Sequence, residues 1–384
     1  MAAQKAWRLR PDYADVTLFD RMVRNEFVPP REIAQAQDER LRRIIAYAQQ
    51  RVPFYQQPFS GHSVSLADIR GVADLPRLPV LTKIDLQHSA HELRSLALPE
   101  GESLCGVVRS SGTTGRATEV LHTVRNNVMF ARLLQRSYRW HRFDPMGTEA
   151  TIRRGGTIPG MEEGQKLDLG QTFQRDQWAY VGQRSSTGPS IASSRDNPAD
   201  AQIAWLREHR PQYLTCMPHI LEELAFASGD ASPTDSLKGV RAIGAQVTPM
   251  MRRRIESTFH APLHQNYGLN EIGHVAVRCE AGRYHVHIEH CIVEITDDQG
   301  RTCKPGERGH ILVTGLNNLA MPLIRYDTDD TAEVVEGPCP CGRTLPSFGE
   351  ISGRYKRYAN LPEGTRRRVH VVTDALQNMP PQHA

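Results

Sequence analysis

The chain has 384 residues, with 47 Lys and Arg against 43 Asp and Glu and a formal charge of +4; this length excludes a peptide or tail and allows one large domain or two smaller ones. An apolar content of 39% before glycine is counted excludes wholesale disorder. The charge is too dilute for the clustered basic face of a nucleic-acid binder.

The start, MAAQKAWRLRPDYADVTLF, lacks an apolar signal core, and no window approaches the roughly 18 apolar residues of a membrane helix. Seven cysteines scattered from Cys105 to Cys341 fit a reducing compartment. A cytoplasmic protein is expected, with no membrane and no nucleic-acid partner. Residues 36–52 carry Leu41, Ile44, Ile45, Ala48 and Val52 at helical spacing, and Pro53 ends that helix. Thr82 with Asp85 three residues on reads as a capping box opening a second helix. From residue 100 short apolar runs and helical segments alternate, which predicts a layered α/β domain. Gln212 to Met217 and Val240 to Gly244 read as strands. The segment ending at His209, Ile220 to Ala227 and Pro249 to Phe259 read as helices. Ser185 to Asn197 is polar enough to read as a mobile loop. Beyond residue 280, YHVHI, CIVEIT and GHILVTG read as strands of a smaller β-rich subdomain.

The densest chemical signal is Arg109-Ser-Ser-Gly-Thr-Thr-Gly-Arg-Ala-Thr118. Gly112 and Gly115 free the backbone to approach a ligand, and Ser110, Ser111, Thr113 and Thr114 surround them with hydroxyls, a composition suited to cradling polyphosphate. It departs from the Walker pattern, because the glycines are three apart and Arg116 follows without an adjoining Ser or Thr.

This loop resembles the phosphate loop of the adenylate-forming acyl and aryl ligases, in the branch with phenylacetate-coenzyme A ligase, coenzyme F390 synthetase and CapK-like proteins. Asn266-Tyr-Gly-Leu-Asn-Glu271, Ile324-Arg-Tyr-Asp-Thr-Asp-Asp330, and Cys339-Pro-Cys-Gly-Arg343 running into Ile351-Ser-Gly-Arg354 follow in the family's order. The resemblance spans about residues 36–354. It implies the α/β fold of the large N-terminal domain of these ligases. The expected division is a helical segment at 1–99, a nucleotide- and acyl-binding core at 100–280, a β-rich subdomain at 281–352, and a hinge with a remnant of the C-terminal domain at 353–384.

The resemblance also implies roles. Ser110 to Gly115 would hold the β- and γ-phosphates of ATP, with Thr114 and Arg116 acting in catalysis and Arg116 standing where lysine is usual. Glu271 would bind Mg²⁺, a cation usually held by one or two carboxylates plus phosphate oxygens. Asn266, Tyr267 and Gly268 would lie along the nucleotide, Tyr267 stacking on adenine. Gly244-Ala245-Gln246 would form the adenine-side loop, with Gln246 in place of a usual glutamate. Asp330 would accept hydrogen bonds from the ribose hydroxyls, and Arg354 belongs to the nucleotide-binding set. Asp327 and Asp329 replace the usual Arg and Gly, so either they point outward or they meet a cationic substrate. Cys279, His285, Cys339 and Cys341 would hold a structural Zn²⁺ as Cys₃His, with His287 and His290 as alternative ligands. Cys105, Cys216, Cys291 and Cys303 read as small core residues.

The region from Arg153 to Ser186 matches the family least, so acyl specificity is expected there. Tyr138, Trp140, Trp178 and Tyr180 are either core or an aromatic pocket. Arg153 and Arg154 are candidates to pair with a second carboxylate or phosphate on the substrate. Such ligases finish with a mobile C-terminal domain carrying a catalytic lysine. Here the hinge reads Gly353-Arg-Tyr-Lys-Arg357 and 27 residues follow, so the lid is either absent by divergence or removed. The expected activity is ATP-dependent formation of an acyl-adenylate from a small carboxylic acid, releasing pyrophosphate. Transfer to coenzyme A follows, or to an amine, a carrier protein or a polysaccharide-linked group; a homodimer is compatible with the resemblance. The alternative is an impaired homologue that binds nucleotide or acyl-adenylate as a partner or sensor.

Overall fold

The structure, a computed structural model, describes residues 16–56, 66–110, 118–154, 158, 161, 167–182, 185–229, 231–352, 358–360 and 366–368. Helix α1 (Val16–Asn25) precedes α2 (Pro30–Arg51), which starts earlier than the apolar spacing suggests because Pro30 fits the first helical turn. After the single turn α3 (Pro53–Gln56) comes α4 (Lys83–His88). There Thr82 Oγ1 accepts from the Asp85 amide at 3.2 Å, and Asp85 returns the bond to the Thr82 amide at 2.9 Å. The capping box read from the sequence closes this helix start.

A separate hairpin of β1 (Leu104–Ser110) and β2 (Thr118–Thr123) follows, its last register pair being Ser110 with Thr118. Among the described residues the hairpin pairs with no other sheet, and β1 is exposed, Cys105 included. Cys105 is therefore not the core residue expected from its type. Cys216, Cys291 and Cys303 are buried.

Helix α5 (Val124–Trp140) leads into the large sheet. Its central strands are β3 (Glu149–Arg153), β5 (Ser190–Ser194), β6 (Tyr213–Cys216), β7 (Gly239–Ala242) and β8 (Leu263–Leu269). These run parallel, in the order β8-β7-β6-β3-β5. Helices α6 (Ala199–His209), α7 (Pro218–Ala227) and α8 (Pro249–Phe259) connect successive strands. Antiparallel β4 (Phe173–Arg175) closes one edge. At the other edge lie β9 (Gly273–Arg278), β10 (Tyr284–Val286) and β14 (Ser347–Phe348). The large sheet thus draws strands from both sides of residue 280.

A four-stranded antiparallel sheet holds β11 (Cys291–Thr296), β12 (Arg308–Gly315), β13 (Tyr326–Glu333) and β15 (Ile351–Ser352). Helix α2 buries Leu41, Ile44, Ile45 and Ala48 in one cluster with Ile311, Val313, Leu323 and Tyr326 of this region. The short pair β16 (Tyr358–Asn360) and β17 (Arg366–Arg368) lies in the tail.

The stretch 185–197, expected as a mobile loop, contains β5. Ser193, in register with Ile152, is buried and accepts from Asn197 Nδ2 at 2.9 Å, while Ser194, in register with Arg153, is buried on the opposite face, so the polar composition there belongs to a strand with a buried polar face. The cause is the two-residue repeat of strands. Ala150, Ile152, Ile191, Leu214, Val240 and Leu263 alternate onto one face, where they join Leu206, Leu221, Leu224 and Ile255 of the helices. Glu149, Thr151 and Arg153, Thr215, Arg241, and His264 and Asn266 alternate onto the other.

Candidate active site

The polar face is closed at one end and open at the other. At the closed end, Tyr138, Phe143, Trp178 and Tyr213 form an aromatic cluster, with Phe143 and Tyr213 stacked at 4.1 Å. A Cβ on Gly239 would come within 3.1 Å of the Phe143 ring, so that glycine lets the ring lie on the sheet. At the open end, towards the carboxyl ends of the parallel strands, lies a cleft of about 520 Å³. Open α/β sheets bind ligands at this end. Of the four aromatic candidates, Tyr138 and Trp178 belong to the closing cluster. Trp140 packs against His285 and Arg343. Only Tyr180 lines the cleft, edge-on to Phe130 at 5.6 Å.

Arg241 lies on the floor of the cleft, buried, with its guanidinium 4.9 Å from the centre of the Tyr138 ring. It donates to Thr215 Oγ1 at 3.2 Å and sits 3.8 Å from Glu149. Glu149 also accepts from the Tyr138 hydroxyl at 2.8 Å and from Thr215 at 3.0 Å, so its Oε1 gathers three partners. His274 stacks on Phe130 at 4.3 Å in the cleft wall. Burial holds its imidazole down at about 3, keeping the ring neutral. The sequence reading missed Arg241, His274 and Phe130. A cation inside a short apolar strand, Val240-Arg-Ala242, was the signal available for Arg241.

The residues expected to lie along a nucleotide converge beside this cleft. Asn266, Gly268, Leu269 and Asn270 line it, and the chain then turns through Glu271 into β9. Tyr267 Oη lies 2.9 Å from Asp330 Oδ2 and 3.1 Å from Thr328 Oγ1. Burial and the neighbouring Asp330 push the Tyr267 phenol well above its ordinary range, so it donates. Tyr326 Oη is 3.4 Å from Glu271 Oε1. Two motifs about 60 residues apart therefore meet, with Tyr267 8% and Glu271 7% exposed. Arg325 anchors the second motif: its Nε donates to both carboxylate oxygens of Glu294 at 3.1 Å.

Gly244 has φ +76°, a left-handed turn suited to glycine, and Gly244 also lines the cleft. Ala245 is exposed beside it. Gln246 Nε2 donates to the Ile351 carbonyl at 2.7 Å, tying this loop to β15 just ahead of residue 353. Asp329 does not point outward. It is 9% exposed at φ +66°, with its amide donating to Asp327 Oδ1 at 2.9 Å. The register shift between β12 and β13 produces this turn, and the left-handed conformation explains why glycine is expected there. Ser111, Gly112, Thr113, Thr114, Gly115, Arg116 and Arg354 lie outside the described residues, as does the side chain of Ser110.

Cys279, His285, Cys339 and Cys341 bring their donor atoms within 4.8 Å of one another. Cys279 and Cys339 sulfurs are 3.6 Å apart, and Cys341 Sγ is 3.3 Å from His285 Nε2. The other imidazole nitrogen faces the Leu345 carbonyl at 3.1 Å, so His285 carries its proton on Nδ1 and turns a lone pair on Nε2 to the sulfurs. Burial lowers its pKa to about 4. His287 and His290 are occupied elsewhere: His287 pairs with Arg136, and His290 faces the Ile272 carbonyl at 2.8 Å.

The sequence pattern of the family described as AMP-binding enzyme matches residues 33–321. Phenylacetate-coenzyme A ligase of Thermus thermophilus is 30% identical over 337 residues, covering 86% of this chain and 72% of that protein. The Escherichia coli enzyme of the same name is 28% identical over 334 residues, covering 84% and 71%. Among solved structures, an open 2-hydroxyisobutyryl-CoA ligase in complex with 2-HIB-AMP and CoA matches with a TM-score of 0.70 at 20% identity. That match covers 88% of this chain and 73% of the other, a likeness of fold.

Proposed function

This chain belongs to the family of AMP-binding enzymes, and from that premise we propose that it uses ATP to activate a carboxylic acid as an acyl-adenylate and then passes the acyl group to coenzyme A. The observation that carries this reading is the meeting of Tyr267, Asp330 and Glu271 beside an open cleft. In the first step a carboxylate oxygen attacks the α-phosphorus, the α–β anhydride bond breaks and pyrophosphate leaves with the electron pair. In the second a thiolate attacks the acyl carbon and AMP leaves. Catalysis of this kind is mostly positioning and charge stabilisation.

Asp330, steadied by the Tyr267 hydroxyl, accepts from the ribose. Glu271 suits Mg²⁺, being a buried carboxylate at the turn between the cleft-lining residues Asn270 and Gly273. Bound Mg²⁺ would offset phosphate charge as it develops on the leaving group. The relatives' printed names support coenzyme A as acceptor. Seven free cysteines support a cytoplasmic setting, and among the described residues no helix is long and apolar enough to cross a membrane.

The Cys279, His285, Cys339 and Cys341 cluster suits a structural Zn²⁺. Bonds of about 2.3 Å in a tetrahedron give sulfur–sulfur edges of about 3.8 Å, near the 3.6 Å separation of Cys279 and Cys339. The Leu345 carbonyl fixes the imidazole tautomer such a site requires. Metal there would pin the β9–β10 turn to the 339–341 loop. Elemental analysis of metal-replete protein should give about one equivalent of zinc, lost in Cys339→Ser; absence of zinc from the parent protein contradicts the assignment.

Product analysis tests the main reading. ATP, Mg²⁺ and a panel of aryl, fatty and dicarboxylic acids, with hydroxylamine as acyl acceptor, should yield AMP and pyrophosphate. ADP as product, or ATP bound without turnover on any acid, contradicts it, and the second outcome identifies a nucleotide-binding homologue.

A further inference from the structure

Among its described lining residues the acyl cleft is rich in arginine. Arg153, Arg154, Arg195 and Arg241 line it, and among the described lining residues none is Asp or Glu. An adjoining recess shares Arg153 and Arg241, adds Arg175, and contributes a single carboxylate, Glu149. That carboxylate is already engaged by Arg241, Tyr138 and Thr215. Arg195 has Asp196 at 3.8 Å on an exposed edge.

Arg153 differs from these. Like Arg241 it lines both the cleft and the recess, but among the described residues it has no acidic partner. Its Nε is buried without a hydrogen bond, and its Nη1 is 3.5 Å from the Tyr180 hydroxyl, at the outer limit of such a contact. Glu149, four residues earlier on the same strand, is about 13 Å away along the backbone. A partly desolvated guanidinium with donors aimed into a cavity is costly unless an anion completes it.

We propose that the acid taken by this enzyme carries a second anionic group, a carboxylate, phosphate or sulfonate, received by Arg153. This rests on the carboxylate-activating reading of the site and names its substrate class. The reacting carboxylate cannot be the group Arg153 awaits, because that carboxylate loses its charge on bonding to phosphorus, whereas a second anion keeps its charge through both half-reactions. Phe130, Leu134, Met217 and Ile243 supply apolar wall between the nucleotide side and the arginines. The substrate is accordingly an acid with a partly apolar body and an anion at each end. Arginine suits this task because its planar fork binds an oxyanion through two donors.

The test compares matched pairs of acids on the full chain, each pair differing only by a terminal second carboxylate, phosphate or sulfonate. It reads hydroxamate formation and, separately, calorimetric binding of the free acids. The dianionic member of at least one pair should win by about tenfold to a hundredfold in kcat/KM, the range for a charge-assisted contact; which pair wins identifies the anion. Arg153→Gln should collapse that ratio, and Arg153→Glu should reverse it towards acids carrying an amine. Arg43→Gln, on the exposed face of α2, should leave the ratio alone. Equal use of both members by the parent protein, or loss of both in equal proportion in Arg153→Gln, overturns the proposal. Adenylation of monoanionic acids without a dianion preference defeats this inference and leaves the proposed function standing. Dianion binding lost in Arg153→Gln, with no adenylation of any acid, defeats the function and leaves this inference standing. Neither binding nor adenylation defeats both.

Discussion

The two faces of the large sheet are made by the same strands and behave differently. One face is a continuous apolar layer of Ile152, Leu214 and Val240 under Leu206, Leu221 and Ile255. The other places Arg153, Thr215, Arg241 and His264 at the alternate positions, and only its aromatic end is packed. Burying the first face drives folding through apolar area. The second keeps polar groups where a ligand will meet them, at the cost of pairing every buried charge it retains. A parallel sheet normally reads as unbroken apolar runs because helices cover both sides; here the interruption of that rule marks the working face.

The comparison can be broken from either side. On the ligand side the largest effect is expected from Glu271→Gln, which should slow adenylation by about a hundredfold to a thousandfold while the thermal midpoint stays near that of the parent protein. A rate within threefold of the parent removes Glu271 from the chemistry. Arg241→Gln leaves Glu149 without its cation and should destabilise by about 3 kcal/mol. The double variant with Glu149→Gln should recover part of that loss, as denaturant titration of the cycle would reveal. Additive losses would mean that the two side chains are not coupled.

On the apolar side Leu221→Ala, at a fully buried position, should cost about 2–5 kcal/mol through lost contact and a residual cavity. It should not alter which acid is preferred, since the sheet separates Leu221 from the cleft. A shift in acid preference would mean that the faces are not independent. The smallest effect is local. Thr82→Ala removes one capping bond from α4 and should cost about 1 kcal/mol, measured as a modest drop in thermal midpoint.

Much of this was legible beforehand. Helix α2 showed its apolar stripe, α4 its capping box, and the segments 266–271 and 324–330 their motif chemistry, because each signal is carried by neighbours in sequence. The polar face was not legible in the same way. Each central strand spans only four to seven residues, so alternation is sampled two or three times before a turn interrupts it. Only the alignment of Thr151, Thr215, Arg241 and His264 across four strands makes a surface. For the same reason Ser190 to Ser194 read as a loop: its serines are polar in isolation and sensible only beside β3. Cys105 failed in the opposite direction, since a small apolar type says nothing about whether its hairpin is covered. Asp329 shows the limit of reasoning from charge alone. Repulsion suggests either an outward carboxylate or one that meets a cationic substrate, and the left-handed turn in β13, which folds the residue inward, removes the first.

The most direct test of the central claim is a crystal structure of the chain with a non-hydrolysable acyl-sulfamoyl adenosine, its acyl part bearing a terminal carboxylate. The account predicts the ribose on Asp330, the adenine beside Tyr267 and Gly244, and the acyl chain crossing the polar face to Arg153. An analogue bound on the α6–α8 side, or one whose acyl chain turns away from Arg153 and Arg241, would contradict it.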